Sequence, residues 1–373
     1  MSLKIFFQEL GLIFSTTVGV GVFALPYIFK EAGWALSVFY LLIFSGLMVA
    51  VHIIYWRVLV KTGKTKRLLM LVRENFGSLG FGLGATTIIG GITLAMVAYL
   101  ILGGHFLRLV FPGMAENLSI IVFWILVSLP LFFKLSRMIG LEVWAGLILA
   151  GAVIFLLLEA EPLSTPVQIQ AFSSSNLFLP FGAVLFALAG WTAIEPIYDS
   201  SKKRLELTNF KTRIWQFSFA TFGAALIYLI FVLAILGSSS SITTDTISGL
   251  QNLPGYELAI LLVIGIFAIA TSYLPFGREF ESLAIKDLKF SRLVSLVLVL
   301  AVPVGLVFLG LKNFSEVVGL VGGVFLALQY FFIVLVGRKV LEIRGFLKKL
   351  GFYSAAAIFL LGAVYEVYYF VIR

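Results

Sequence analysis

The sequence predicts an all-α integral membrane protein of eleven transmembrane helices, on three observations. Of its 373 residues, 61% are hydrophobic and only 12% charged, and the mean hydropathy of +1.10 lies far above that of a water-soluble domain. Apolar runs recur from residue 7 to residue 372, and a helix needs about 20 such residues to cross a hydrocarbon core of ~30 Å. The runs are continuous, without the alternating polarity of a membrane β-barrel, so each must satisfy its own backbone as a helix.

Runs bounded by charge, Pro or Gly predict spans at 7–29, 34–60, 84–111, 118–134, 139–158 and 177–198. Five more follow at 213–237, 256–277, 291–311, 314–336 and 351–372. Within the first, Gln8 and Glu9 interrupt the basic-then-apolar order of a signal peptide, so this stretch reads as a span. Lys and Arg are retained on the cytoplasmic side. With the N-terminus inside, all of the 27 Lys and Arg except Lys30, Arg108, Lys312 and Arg373 fall on internal segments. That pattern persists to the last span, and it predicts an external C-terminus. Trp34, Trp56 and Trp215 fall near span ends, where indoles suit the headgroup level. The longest external loops, 159–176 with Glu159, Glu161 and Pro162, and 238–255, rich in Ser and Thr, are candidates to pack over a binding-site mouth.

The net charge of +9 follows from these internal basic residues, and no basic motif with interleaved aromatics suggests nucleic acid. Cysteine is absent, which removes disulfides and thiolate chemistry. No H-E-x-x-H motif, aspartate pair within spans or Ser/His dyad supports an intramembrane enzyme. Asp199, Asp245 and Asp287 all fall in or beside loops, and His52 and His105 read as packing or interface residues. No segment reads as a docking surface for an obligate protein partner, so the expected surroundings are membrane lipid.

Two spans carry a helix-breaking run. Span 1 reads Ser15-Thr16-Thr17-Val18-Gly19-Val20-Gly21-Val22-Phe23-Ala24-Leu25-Pro26, and span 6 reads Leu185-Phe186-Ala187-Leu188-Ala189-Gly190-Trp191-Thr192-Ala193-Ile194-Glu195-Pro196. Helix propensity is poor in both. A recurrence five spans apart is what an inverted repeat of five plus five helices produces, with the first helix of each half unwound. The predicted organisation is therefore 1–158 as the first five-helix repeat, 177–336 as the second, and 351–372 as an additional eleventh helix. Unwinding leaves amides and carbonyls that hydrocarbon cannot satisfy. A zwitterionic amino acid satisfies them, its carboxylate meeting the amides near Val20 and Gly21 and its ammonium meeting free carbonyls. Close helix packing at Gly19 and Gly21 with a simple kink at Pro26 is the competing reading.

The run Gly19-Val20-Gly21-Val22-Phe23-Ala24-Leu25-Pro26-Tyr27, continuing through Phe29, Lys30, Glu31, Ala32, Gly33 and Trp34, resembles the first-helix signature of the amino acid/auxin permease family. That family lies within the amino acid/polyamine/organocation superfamily. The resemblance implies the LeuT-type fold and symport of an amino acid with sodium ions or protons. It also implies a carboxylate cradle from Thr17, Gly19, Val20 and Gly21, a span 6 wall from Phe186, Ala187, Ala189 and Gly190, and a cap from Trp191. In span 8, Ala268, Thr271 and Ser272 resemble the superfamily's sodium site, joined by carbonyls at Ser15 and Val18. Back-bonding of the Thr271 and Ser272 hydroxyls is the plainer alternative. Some proton-coupled relatives place a lysine in span 5, and residues 139–158 contain none, which leans towards Na+ as coupling ion. Glu142 and Glu195 keep H+ open, Glu195 as a proton relay. Tyr99 in span 3 is placed to reach the pocket.

The site residues are small or apolar, with no intramembrane Asp or Arg to pair a charged side chain. The expected activity is therefore cation-coupled symport of a neutral amino acid, apolar by preference, through alternating access and without a cofactor. An amino-acid sensor on the same fold, or a carrier of another small amine or organic solute, is the alternative. Only three residues precede Lys4, and an added cytoplasmic sensing domain is not expected.

Overall fold

The computed structural model describes residues 3–63, 67–132, 138–159, 169–201, 210–239, 241–246 and 255–372. Among these residues every regular element is helical. Span 1 is divided into α1 (Leu3–Thr17), a 3-10 turn (Val20–Ala24) and α2 (Leu25–Ala32). Pro26 sits in the first turn of α2, where no N–H is needed. Gly33, at φ 97, ends that helix, and α3 (Trp34–Thr62) runs on from it until Gly63 closes it in the left-handed conformation, φ 62.

Helix α4 (Leu68–Val110) is 43 residues long and contains a break at Gly77, φ 68. Its first turns lie in what the hydropathy pattern reads as a loop, the predicted span beginning only at residue 84. The helix begins earlier because Leu68, Leu69, Leu71 and Val72 are buried together on one side, while Arg73 and Glu74 stay exposed. This is an amphipathic stretch too charged for a spanning helix, and Gly77 redirects it into the membrane span. Next comes α5 (Glu116–Ser128), continued by a 3-10 turn (Leu129–Phe132) around Pro130, and then α6 (Met138–Glu159).

Span 6 is divided in the same way as span 1, into α7 (Leu179–Ala187), a 3-10 turn (Trp191–Ala193) and α8 (Ile194–Ser201). Helices α9 (Phe210–Ser238), α10 (Gly255–Lys286) and α11 (Arg292–Phe308) follow, then α12 (Phe314–Leu320), a π-helical turn (Val321–Leu326) and α13 (Ala327–Val340), and last α14 (Phe346–Ile372). The π turn is not visible in the apolar pattern. It falls where Gly322 packs so tightly on α7 that a Cβ there would stand 1.8 Å from the Gly182 carbonyl oxygen. Seven helical segments among the described residues are long and apolar enough to cross a membrane, with shorter apolar helices at Glu116–Phe132, Gly146–Phe155 and Arg292–Phe308.

The two ends of the bundle differ in charge. At one end Lys61 pairs with Glu342 at 2.8 Å and Arg67 with Glu279 at 2.9 Å, and Lys339 donates to the Asn75 carbonyl. The same basic end holds the guanidinium of Arg213, 1% exposed, against Glu9 and 4.2 Å over the Trp56 ring. At the opposite end Lys312 donates to Asn117 and Lys30 to the Ile242 carbonyl. Of the basic residues that predict topology, Lys64, Lys66, Lys134, Arg137, Lys202, Lys203, Arg204 and Arg373 lie outside the described residues, as do Glu161, Pro162 and most of both long loops.

Candidate functional site

Each break is closed by the same local geometry. The Val22 amide donates to the Gly19 carbonyl at 3.2 Å, and the Ala193 amide donates to the Gly190 carbonyl at 3.2 Å. Each single 3-10 bond turns the chain after a glycine, leaving the first amides of the new turn without a preceding helical carbonyl. The carbonyl ends of α1 and α7 are also unsatisfied by helix bonds. One side chain serves both. The Tyr228 hydroxyl on α9 reaches two carbonyls, donating to Thr17 and, at 2.7 Å, to Ala187, so that its single proton is shared between the last residues of the two half-helices.

The breaks also touch each other. A Cβ on Gly21 would lie 2.5 Å from the Cα of Ala187, and one on Gly190 would lie 2.6 Å from the Thr17 Oγ1. Glycine is required at both places by close approach rather than by an unusual φ. Behind Gly190 stands His52 of α3, its ring carbon 3.3 Å from that Cβ position. Neither ring nitrogen has a hydrogen-bond partner among the described residues.

Around the breaks is a cavity of about 30 Å3 lined by Thr17, Gly19, Val20, Gly21, Tyr99, Phe186, Ala189, Trp191 and Ser272 among the residues predicted from sequence. It has room for one or two water molecules. Ala187 and Gly190 do not line it; they form the contact that holds the two breaks together. No charged residue lines it. The Tyr99 hydroxyl is hydrogen-bonded with the Ser272 side chain, and its ring lies 5.8 Å from that of Phe276.

Sequence reasoning missed Tyr228 and Gln329. Gln329 of α13 lines the cavity, accepts the Trp191 indole N–H at 2.9 Å and donates to the Thr87 carbonyl of α4, also at 2.9 Å. It thereby fixes the orientation of the indole. The only signal for it in the sequence is a lone amide in an apolar run.

A second cavity of about 330 Å3 adjoins the first, sharing Thr16, Thr192, Ser272 and Phe276, and extends to Arg67, Arg278 and Glu279 at the basic end. Towards the other end the path is filled. Phe23 packs edge-on between Phe106 and Phe231 at 5.4 and 5.3 Å, Thr246 donates to the Phe23 carbonyl at 2.6 Å, and Asp245 sits 2.6 Å from the His105 Nδ1. Of the loops expected to pack over a mouth, the segment 241–246 therefore reaches the unwound part of span 1 through Thr246. Residues 169–176 pair instead with the α2–α3 junction, where Gln170 and Ala171 accept the Trp34 and Ala35 amides.

The cation-site residues are only partly assembled. Ser272 faces the span 1 break, its Oγ 3.0 Å from a Cβ placed on Gly19. Ser15 lines the larger cavity, its hydroxyl bonded back to the Leu12 carbonyl. Val18 and Ala268 are buried, and the Thr271 side chain lies outside the described residues, as does that of Glu142. Glu195 lines neither cavity. Its carboxylate accepts the Tyr55 hydroxyl at 2.5 Å and the Leu68 amide at 3.2 Å, joining α8, α3 and the first turn of α4.

No protein-family model matches the chain, and no curated protein matches it in sequence. Solved structures do match in fold. One is MhsT in complex with L-phenylalanine, with 13% identity, TM-score 0.62 and coverage of 97% of each chain. Another is a manganese transporter of Eremococcus coleocola in complex with an aromatic bis-isothiourea compound, with 12% identity, TM-score 0.70 and coverage of 97% of this chain and 86% of the other. The chain has the fold of these proteins, which is the LeuT-type fold that the span 1 motif implied.

Proposed function

We propose that this chain is a secondary transporter, and not an enzyme, that carries a neutral, apolar amino acid with a coupling cation by alternating access. The observation that carries the reading is the junction of two unwound helices, Gly21 against Ala187 and Gly190 against Thr17, at a cavity without charged side chains. Free amides after Gly19 suit a carboxylate, and the Phe186, Trp191 and Phe276 rings suit an apolar side chain. The likeness to MhsT, solved in complex with L-phenylalanine, supports an apolar amino acid as the ligand. The resemblance of span 1 to the amino acid/auxin permeases supports it independently.

The likeness to a manganese transporter raises a metal ion as the second reading. The donor set opposes it. A divalent manganese ion favours carboxylate, carbonyl and water oxygens, and the cavity lining contains no Asp, Glu, His or Met. In this reading of the chain as an amino-acid carrier, the equivalent breaks belong to two inverted five-helix halves, 1–158 and 177–336, with α14 added. The basic end is cytoplasmic, the C-terminus is external, and the cavity reaching Arg67 and Arg278 is an inward-facing release path. The favoured coupling ion is Na+ near Ser15, Val18, Ala268, Thr271 and Ser272. Proton coupling through Glu195 is the alternative.

Binding of radiolabelled amino acids to the purified protein, in sodium against choline buffer at two pH values, tests both parts. Sodium-dependent binding of an apolar amino acid, lost in Gly21→Leu, is the expected result. Binding that follows pH alone moves the coupling role to Glu195. Binding of manganese but of no amino acid overturns the substrate class.

A further inference from the structure

A cavity of about 110 Å3 lies between α2, α7, α12 and α14, and it shares no lining residue with the central one. Its floor is Glu366 of α14, 5% exposed. Two glycines make room for this carboxylate. A Cβ on Gly182 would stand 2.8 Å from the Glu366 Oε1, and one on Gly323 would stand 2.2 Å from its Cγ. The Gly182 amide donates to it. Among the described residues no Lys, Arg or His forms an ion pair with it. The cavity has a second carboxylate, Glu316, and no basic lining residue.

A carboxylate taken out of water without a counter-charge is costly, so the cavity calls for a cation. The rest of the lining says which kind. Tyr27, Phe178, Tyr365 and Tyr369 face the same space, with the Phe178 and Tyr365 centroids 4.5 Å apart and those of Tyr365 and Tyr369 6.2 Å apart. A hard metal ion needs about six oxygen ligands, and among the oxygens of the lining Asn313 and Glu316 are bonded to each other and Ser175 to Ser173, whereas aromatic faces attract an ammonium and cover its alkyl part.

We propose that this cavity is a binding site for a small organic ammonium ion, separate from the central site. Its N–H groups donate to the Glu366 carboxylate, and its carbon chain lies against Tyr365 and Tyr369. The proposal stands on this cavity alone and does not depend on what the central site carries.

Isothermal titration of the full-length purified protein with ethylammonium chloride tests it, with sodium chloride as the control for charge and n-propanol as the control for size. A saturable heat with ethylammonium only, weakened at least tenfold in Glu366→Gln, is expected. Should Glu366→Gln fail to give a monodisperse protein, Tyr369→Leu takes its place, with at least a threefold loss expected. No saturable heat with the unaltered protein means that Glu366 is neutralised by a proton alone and overturns the proposal. Equal binding of n-propanol, or affinity unchanged in a folded variant, overturns it as well.

Discussion

Gly21 and Ala187 meet backbone to backbone, so that a single methyl group added at Gly21 would stand 2.5 Å from the Cα of Ala187 and 3.0 Å from its amide nitrogen. Neither atom belongs to a flexible side chain, so the strain cannot be relieved by a rotamer change and the half-helices must separate. Forcing extra volume into a close-packed site costs typically about 1–3 kcal/mol. Gly21→Ala is therefore expected to lower substrate affinity by about tenfold or more, measured by equilibrium binding, with a fall in melting temperature. Gly46, where a Cβ would meet nothing within 4 Å, is the control position, and Gly46→Ala is expected to leave both unchanged.

The Tyr228 hydroxyl tests the other half of the same junction. Tyr228→Phe keeps the ring, which is fully buried, and removes only the donor that serves Thr17 and Ala187. A buried carbonyl left without a partner costs about 1–3 kcal/mol. The variant is expected to fold, to melt several degrees lower and to lose transport, because both half-helix ends are released at once. Transport and melting temperature at the level of the unaltered protein would show that the shared proton is dispensable.

Gln329 predicts a separable effect on specificity. It accepts the Trp191 N–H and donates to the Thr87 carbonyl, so Gln329→Leu leaves the indole unanchored while keeping the bulk of the side chain. Loss of one such hydrogen bond is worth about 1 kcal/mol, or several-fold in affinity. A substrate panel is expected to show that loss mainly for large side chains, which reach the indole, and little change for glycine or alanine.

The breaks are legible in the sequence because glycine and proline disturb an otherwise uniform apolar pattern, and that disturbance returns at 185–196, where the helix is broken as it is at 15–26. Gly19, Gly21 and Gly190 stand out for that reason. Tyr228 and Gln329 do not, since one polar group in a long apolar helix carries no periodic signal, and the carbonyls they serve at Ala187 and Thr87 lie 41 and 242 residues away. The early start of α4 is hidden by charge, because Arg73 and Glu74 mask the buried side chains of Leu68, Leu69, Leu71 and Val72. Sequence reasoning passes over Glu366, with Glu142 and Glu195 alone standing as candidate carboxylates in or near spans, although its place within the eleventh apolar run marks it by the same rule. Only the fold shows that two glycines from other helices shape its surroundings.

Glu195 offers a prediction that separates structure from coupling. Its carboxylate accepts the Tyr55 hydroxyl and the Leu68 amide, and in Glu195→Gln both must use one neutral oxygen. Hydrogen bonds to a charged acceptor are worth about 1.5–3 kcal/mol against about 1 for a neutral one, so a loss on the order of 1 kcal/mol in stability is expected. If sodium is the coupling ion, the variant in proteoliposomes keeps both its sodium dependence and the pH profile of the unaltered protein, with a lower melting temperature as its main defect. A flattened pH profile with stability unchanged would instead make Glu195 the proton carrier, and its bonds to Tyr55 and Leu68 would then be the means by which protonation is felt at α3 and α4.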